Sequence, residues 1–451
     1  MSLLPLSEIL GDARPGAHIV ALRDGAAISL ARLRGETAHN AQRLGALGLR
    51  RALLLCEDGY SFIVGFLSLL RIGADIVLPP NLQSGTIAAL ADRFDALVTD
   101  RDPADGGARA LTIEPAEPSA RPLSLDPSRS RIDFFTSGST GAVKRIEKSA
   151  ALLEREAAML ECAWGERLGD AVIFGTVSHQ HIFGLAFRVI WPLLAGRRFD
   201  GTVYFAWETL LAALSGGAGI VSSPAHLTRL GGLSPLTEAL RPRLVFTAGA
   251  PLPAAAAVEC AAIFGRPPIE IFGSTETGAF AWRSGSEPSP WRPLPGVDVS
   301  CSDAGLLRVR SPGVAGAVWC ELADRIAPTT DGGFRFEGRA DRIVKVEGKR
   351  VSLQRLEQDL LALPWVDGAA VMPLAADRPI LGAVVALSPS GEAELAQLGK
   401  FRFERALRRA LAATQEAAAL PRRWRFVARL PIDGMGKCRS ADVLALLEVS
   451  A

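Results

Sequence analysis

Over roughly its first 340 residues the sequence alternates short apolar, β-prone runs with Ala- and Leu-rich stretches of helical character. The runs fall at 52–56, 75–78, 96–99, 171–176, 219–222, 244–247 and 269–272. Strands separated by helices share a sheet only as parallel neighbours joined by crossovers, so the pattern dictates parallel sheets covered by helices. In open sheets of this kind ligands bind at the carboxyl ends of strands. LVFTAGAP and IEIFGSTE place glycine and hydroxyl residues at such ends, and the search for a site starts there.

The chain has 451 residues, more than one hydrophobic core organises, so at least two domains are expected. A second unit begins near Arg339, just after the Asp331-Gly332-Gly333 turn. Strands are expected at 342–346, 384–387 and 424–427, and helices at 352–363, capped by Ser352, and at 403–414. The expected fold class is therefore α/β. A large N-terminal domain of several α/β layers with parallel sheets spans 1–338, and a small C-terminal α+β domain spans 339–451.

Charge and cysteines narrow the function. A formal net charge of +2 provides no global basic field for nucleic acid. The six cysteines are scattered without a CxxC pair, which indicates neither zinc nor a disulfide framework, so buried reduced thiols in a cytoplasmic protein are expected. The N-terminus lacks the basic start and apolar core of a signal peptide. SFIVGFLSLLRIGADIVLPP meets Arg71 and Asp75 short of the ~20 apolar residues a membrane span needs. It reads as a buried helix leading into a buried strand, with Glu57 and Asp58 before it as surface charges, and a soluble protein is expected.

The chemistry gathers in five stretches. Thr136-Ser137-Gly138-Ser139-Thr140-Gly141, followed by Lys144, offers backbone amides, hydroxyls and an ammonium suited to terminal phosphates. It is not a GxxxxGK[ST] loop, and GAGIVS from Gly217 lacks the third glycine of a dinucleotide fingerprint. Phe272-Gly273-Ser274-Thr275-Glu276 adds an aromatic for a base, a hydroxyl for a phosphate and a carboxylate for Mg²⁺. Asp324 can accept from a ribose diol. GRADRIVKVEGKRVSLQRLE carries Arg339, Asp341, Lys345 and Gly348 at the domain junction, and LPIDGMGKCRSADV carries Lys437 on a glycine-flanked loop.

In this order the stretches resemble the adenylate-forming superfamily of acyl- and aryl-CoA synthetases, peptide-synthetase adenylation domains and luciferases. The resemblance spans nearly the whole chain and includes HIFG from His181 and TAGAPLP from Thr247. It implies that residues 136–141 with Lys144 grip the β- and γ-phosphates of ATP. Gly249, Ala250 and Pro251 line the adenine and acyl pockets. Phe272 stacks on adenine, Thr275 binds phosphate, and Glu276 associates with Mg²⁺. Asp324 and Arg339 hold the ribose, the small C-terminal α+β domain, 339–451, is a mobile lid with Asp341 as its hinge, and Lys437 is the adenylation lysine. The Lys345–Gly348 strand faces the thiol in the second step. His181, Phe183, Gly249, Thr277 and Gly278 form the acid pocket.

Three departures stand out. The loop reads Val143-Lys144-Arg145 where the family has Pro-Lys-Gly, Phe272 replaces the commoner tyrosine, and Leu322-Ala323 precedes the aspartate in place of Thr-Gly. Blander readings remain for single residues: His181 as a core histidine, Arg339 with Asp341 as an ion pair, Lys437 as a solvated loop lysine.

The implied reaction is ATP-dependent formation of an acyl-AMP and pyrophosphate, then a thioester on a phosphopantetheine thiol. An aromatic acid such as a hydroxybenzoate, loaded onto an acidic acyl carrier protein, is the expected substrate pair. TSGSTGAVKRIEKS resembles ligases of aryl-polyene or xanthomonadin-type pigment pathways. The carrier expectation rests on Arg402, Arg405 and Arg409 at helical spacing, with Arg422 and Arg423 beyond. The alternatives are free CoA with a fatty or other small acid, a non-catalytic nucleotide-binding protein, and a luciferase-like oxygenase sharing the first step.

Overall fold

The computed structural model describes residues 2–79, 84–101, 109–137, 143–285, 289–346, 349–374, 380–412, 415, 420–432 and 438–448. The chain divides into two compact units. The larger comprises Met1–Gly138, Ala142–Val299 and Val309–Cys320, and the smaller is chiefly Ser300–Arg308 with Glu321–Ala451.

The larger unit holds two sheets. One has six strands in the order Ala110–Thr112, Ala96–Thr99, Arg51–Leu55, Asp75–Leu78, Arg131–Ser137 and Val143–Ser149. All its pairings are parallel except the last. The other has nine strands. Its centre is the parallel set Ile269–Ser274, Leu244–Ala248, Gly219–Ser222, Ile173–Gly175 and Phe199–Asp200. Antiparallel strands close both edges, Gly278–Ser284 and then Arg292–Pro293 beyond Ile269–Ser274, and Ala26–Ser29 beside Ile19–Arg23. The α/β class with parallel sheets is what the alternating pattern dictates.

The apolar stretch after position 58 folds as a helix, Gly59–Ile72, in which every residue from Gly59 to Leu70 is buried, followed by the strand Asp75–Leu78. One expectation needs correcting here. Asp58 is not a surface charge but the helix N-cap, its carboxylate accepting from the Ser61 backbone N–H at 2.8 Å and the Ser61 hydroxyl at 3.0 Å. Such a cap contributes about 1 kcal/mol. Gly73, at φ 72°, ends the helix in the left-handed conformation that a Cβ would disfavour.

The smaller unit is α+β. A three-stranded sheet, Val366–Leu374, Ile380–Leu387 and Arg423–Val427, packs against Leu353–Leu361 and Lys400–Leu411 through Leu356, Leu360, Val385, Phe403, Leu407 and Trp424. Ser352 caps the first of these helices as expected, accepting from the Arg355 N–H. The second starts three residues earlier than its apolar period suggests, because Gly399 at φ 73° delivers the chain directly into it. The strand expected at 384–387 begins at Ile380, since antiparallel pairing with Val366–Leu374 recruits the small residues before it.

All six cysteines are free. Only Cys56 and Cys260 are buried, whereas Cys162 is exposed and the rest lie between, so the expectation of uniformly buried thiols fails. Among the described residues no helix is long and apolar enough to cross a membrane.

Candidate active site

The phosphate-loop candidate lies in a hairpin at the carboxyl end of the six-stranded sheet. Arg131–Ser137 runs parallel to Asp75–Leu78 and then pairs antiparallel with Val143–Ser149, setting Thr136 opposite Lys144 and Ser137 opposite Val143. Gly138, Ser139, Thr140 and Gly141 lie outside the described residues, as do the side chains of Thr136 and Ser137. Lys144 donates from Nζ to Glu276 Oε1 at 2.6 Å. Glu276 follows the strand Ile269–Ser274 of the nine-stranded sheet, so the carboxyl ends of the two sheets meet at this ion pair.

Burial pushes the Glu276 carboxyl up, but the Lys144 hydrogen bond, backbone donation and the Lys144 charge outweigh it, and its pKa lies below the ordinary value. The group is an anion at neutral pH. A single carboxylate suits Mg²⁺, which dehydrates reluctantly and is held largely by water and substrate phosphates. No cluster of three or more His, Cys, Asp or Glu occurs among the described residues, so an all-protein cage is not offered.

The turn carrying Glu276 is tightly tied. Ser274 and Thr277 exchange bonds: the Thr277 N–H donates to the Ser274 hydroxyl at 3.2 Å, and the two hydroxyls lie 3.0 Å apart. The Thr277 hydroxyl also donates to the Gly278 carbonyl at 2.9 Å. Thr277 is wholly buried, so it shapes the wall of the turn. Gly278 sits at φ 68°, and a Cβ there would stand 2.7 Å from the Glu156 carboxylate. A Cβ on Gly273 would stand equally close to the Gly278 carbonyl oxygen, and Thr275 is half-buried.

Phe272, half-buried on the same strand, leans on Phe280 at 4.8 Å and Trp291 at 5.0 Å, with the Arg283 guanidinium 4.6 Å from the Trp291 ring centre. Both contacts are tilted, with interplanar angles of 38° and 54°, and hold the ring among aromatics as a rigid platform for a flat ligand. Gly249, Ala250 and Pro251 are exposed just past the neighbouring strand. Their position is set by Leu252, whose N–H donates to Glu270 at 3.2 Å, and Glu270 takes a two-pronged pair from Arg283 at 2.7 and 2.9 Å.

His181 is half-buried and forms the N-cap of the helical segment that starts at Ile182, where the Leu185 N–H donates back to its carbonyl at 2.7 Å. Phe183 is buried, 8% exposed, and meets Phe187 at 4.7 Å. Behind it Trp164, Phe187, Phe246 and Trp282 form a continuous aromatic layer. Gly184 is required sterically, because a Cβ would come within 2.0 Å of the Ser178 carbonyl oxygen. Sequence reasoning missed two buried ionisable groups beside this segment. Arg188 is fully buried and donates to the carbonyls of Val177, Asp200 and Thr202. His179 is fully buried against Phe62, with Nε2 3.0 Å from the Cys56 carbonyl. Local sequence offered no signal for either.

In the smaller unit Asp324 stands opposite Arg339 across a hairpin, carboxylate and guanidinium 3.5 Å apart, with the aspartate side chain 8% exposed. Arg339 thus pairs with Asp324. The side chains of Asp341 and Lys345, and all of Gly348 and Lys437, lie outside the described residues. Arg342, which sequence reading passed over, pairs with Glu357 at 2.7 Å and donates to the Val371 carbonyl.

Comparison with known proteins is consistent with this geometry. The AMP-binding enzyme family model matches residues 12–322. The chain is 31% identical to a 4-coumarate–CoA ligase of Cereibacter sphaeroides over 68% of its own length and 70% of the relative's. It is 31% identical to a 4-coumarate–CoA ligase of Rhodobacter capsulatus, over 68% and 75%. The crystal structure of ATP-bound MatB from Rhodopseudomonas palustris superposes with a TM-score of 0.80 at 21% identity, covering 98% of each chain. With the family model spanning both sheets and relatives above 30% identity over two thirds of the chain, this protein belongs to the AMP-binding enzyme family and is an AMP-forming acid–thiol ligase that adenylates a carboxylic acid at the expense of ATP.

Proposed function

We propose that the acid is aromatic, a hydroxybenzoate or close analogue, and that the thiol acceptor is the phosphopantetheine of an acidic acyl carrier protein. The observation that carries the acceptor is the helix Lys400–Leu411. Its inner stripe is Phe403, Leu407 and Leu411, while its outer face leaves Phe401 70% exposed among Arg402, Arg405 and Arg409. Beside it a pocket of about 190 Å³ is lined by Lys400, Glu404, Arg422, Arg423 and Arg425 together with Trp424, Leu446 and Leu447. An exposed aromatic ringed by guanidinium groups suits an acidic partner, since the charges steer encounter and the ring supplies an anchor.

In the first half-reaction a carboxylate oxygen of the acid attacks the α-phosphorus of ATP and pyrophosphate leaves. Two anions must meet, and Lys437 supplies positive charge there. Phe272 stacks on adenine, Asp324 and Arg339 hold the ribose, Gly249, Ala250 and Pro251 line the pocket, and Thr275 and the 136–141 loop with Lys144 hold phosphate. Glu276 is the residue that would hold Mg²⁺, which when bound neutralises phosphate charge. In the second half-reaction residues 339–451 turn about Asp341, Lys437 withdraws, and the segment from Lys345 to Gly348 meets the thiol. The sulfur bonds to the acyl carbon and AMP leaves. The aromatic layer behind Phe183 supports an aryl acid, as does the phosphate-loop resemblance to aryl-polyene and xanthomonadin-type ligases.

A second reading, free CoA as the acceptor, is favoured by the names of the two relatives at 31% identity. Thioester formation from one aryl acid, with CoA and holo carrier protein offered separately, decides between them. A lower KM for carrier protein, raised by Arg405→Glu with Arg409→Glu and levelled by salt, supports the carrier reading. Equal use of CoA with no effect of the reversals overturns it.

A further inference from the structure

Lys148 is a buried ammonium for which the chemistry above has no use. It is 2% exposed, and Nζ donates to the carbonyls of Glu276 at 3.2 Å and Gly313 at 3.1 Å. Burial lowers its pKa, against the attraction of Glu156 and Glu276. Glu156, on the helix Ala150–Leu168, is 2% exposed and accepts from the Ala279 N–H at 2.8 Å, while its other oxygen has no hydrogen-bond partner among the described residues. Burial pushes that carboxyl up, with Lys148 opposing. The turn from Ser274 to Ala279 is therefore gripped from behind at two points, by a buried cation on the Glu276 carbonyl and a buried carboxyl on the Ala279 amide. An apolar side chain at 148 would fill the same space without desolvating a charge, so packing alone gives no reason for a lysine.

The two lysines divide the work. Lys144 and Lys148 lie four apart on one strand and so share a face, and both reach Glu276, one at its carboxylate and one at its backbone. The Lys144 side chain is 59% exposed, so its ion pair is weak and readily exchanged for a phosphate. When it leaves, the Glu276 carboxylate keeps only donors of its own turn, its backbone N–H and the Ser274 hydroxyl, so its place depends on where that turn is held. We infer that Lys148, braced by Glu156, is a positioning residue that holds the Glu276 backbone so that its carboxylate stays in place while Lys144 turns to the nucleotide. This inference rests on the reading of Glu276 as the metal-associated carboxylate.

A double-mutant cycle tests it, with Lys148→Met, Glu276→Gln and the pair compared in acid-dependent ATP–pyrophosphate exchange across a Mg²⁺ titration, alongside thermal melts. Lys148→Met is expected to lower the exchange rate roughly 10–100-fold and to raise the Mg²⁺ midpoint, as a displaced group does. In the Glu276→Gln background the same change should cost less than about threefold, because the carboxylate it positions is gone. If Lys148→Met melts without cooperativity, Lys148→Met with Glu156→Gln, which removes both buried charges, takes its place in the cycle. Equal losses in both backgrounds, or an unmoved Mg²⁺ midpoint, reduce Lys148 to scaffold and overturn the inference alone. A Glu276→Gln enzyme with wild-type rate and Mg²⁺ response overturns the reading of Glu276 and the inference with it.

Discussion

Gly184→Ala adds one methyl group to the HIFG segment. Its Cβ would lie 2.0 Å from the Ser178 carbonyl oxygen and 2.7 Å from the carbonyl carbon, about 1.4 Å short of ordinary van der Waals contact. The obstacle is backbone, so no rotamer change relieves it. Nor can the Ser178 side yield cheaply, because His179 beside it is fully buried and tied to the Cys56 carbonyl. The start of the helical segment at Ile182 must move instead, and Phe183 with it. Overpacking of this kind costs 1–3 kcal/mol, and rigid atoms on both sides put it at about 3. For a unit of roughly 300 residues that is a fall in Tm of about 4–6 °C. Gly48→Ala is the control: it meets nothing within 4 Å and bears only the strain of φ 64°, about 1 kcal/mol. In exchange assays at varied acid and varied ATP, KM for the acid should rise about tenfold or more and KM for ATP less than about twofold. An unchanged Tm would refute the packing argument. A lowered Tm with both KM values rising together would make the segment scaffold rather than a wall of the acid pocket.

Further expectations can be checked in parallel. Lys437→Ala should cut adenylation about 100-fold or more while thioester formation from supplied acyl-AMP continues, and equal damage to both steps would remove its assigned role. Burial, with the Arg188 charge adding to it, drops the His179 pKa to about 3, so the fold requires the neutral ring. The unfolded chain takes up that proton below about pH 6.5, so stability falls as pH drops from 6.5 toward 3, by about 2 kcal/mol at pH 5 from this group. Urea unfolding at pH 7 and pH 5 should show that loss reduced by about 2 kcal/mol in His179→Gln, whereas parallel losses in variant and wild type would contradict it. Glu161→Ala strips the carboxylate from Arg197, whose side chain is 2% exposed, and from the Trp191 N–H at 2.7 Å. A loss of about 3 kcal/mol with unaltered KM values is expected, and an unchanged melt would show the pair to be dispensable.

The strands were legible because each central one is a short run with an apolar middle: the expected 219–222 and 75–78 match the observed Gly219–Ser222 and Asp75–Leu78. Their distribution between two sheets was not, since strand order depends on crossovers that leave no local mark. Residue chemistry singled out Lys144 and Glu276 separately, but not their contact, made across 132 positions of sequence. Lys148, Glu156, His179 and Arg188 escaped notice for a different reason. Each looks like a solvated charge or a lone polar residue in the sequence, and only the packing of distant elements buries it. Asp58 was misread in the same way, because capping depends on where a helix begins rather than on composition.

Acid-dependent ATP–pyrophosphate exchange addresses the central claim most directly, because it reads reversible acyl-AMP formation before any thiol is added. The wild-type chain should exchange label only when a carboxylic acid is present, with the proposed hydroxybenzoates foremost in a panel that also contains fatty acids. No exchange with any acid, or exchange indifferent to the acid, would contradict an adenylating ligase.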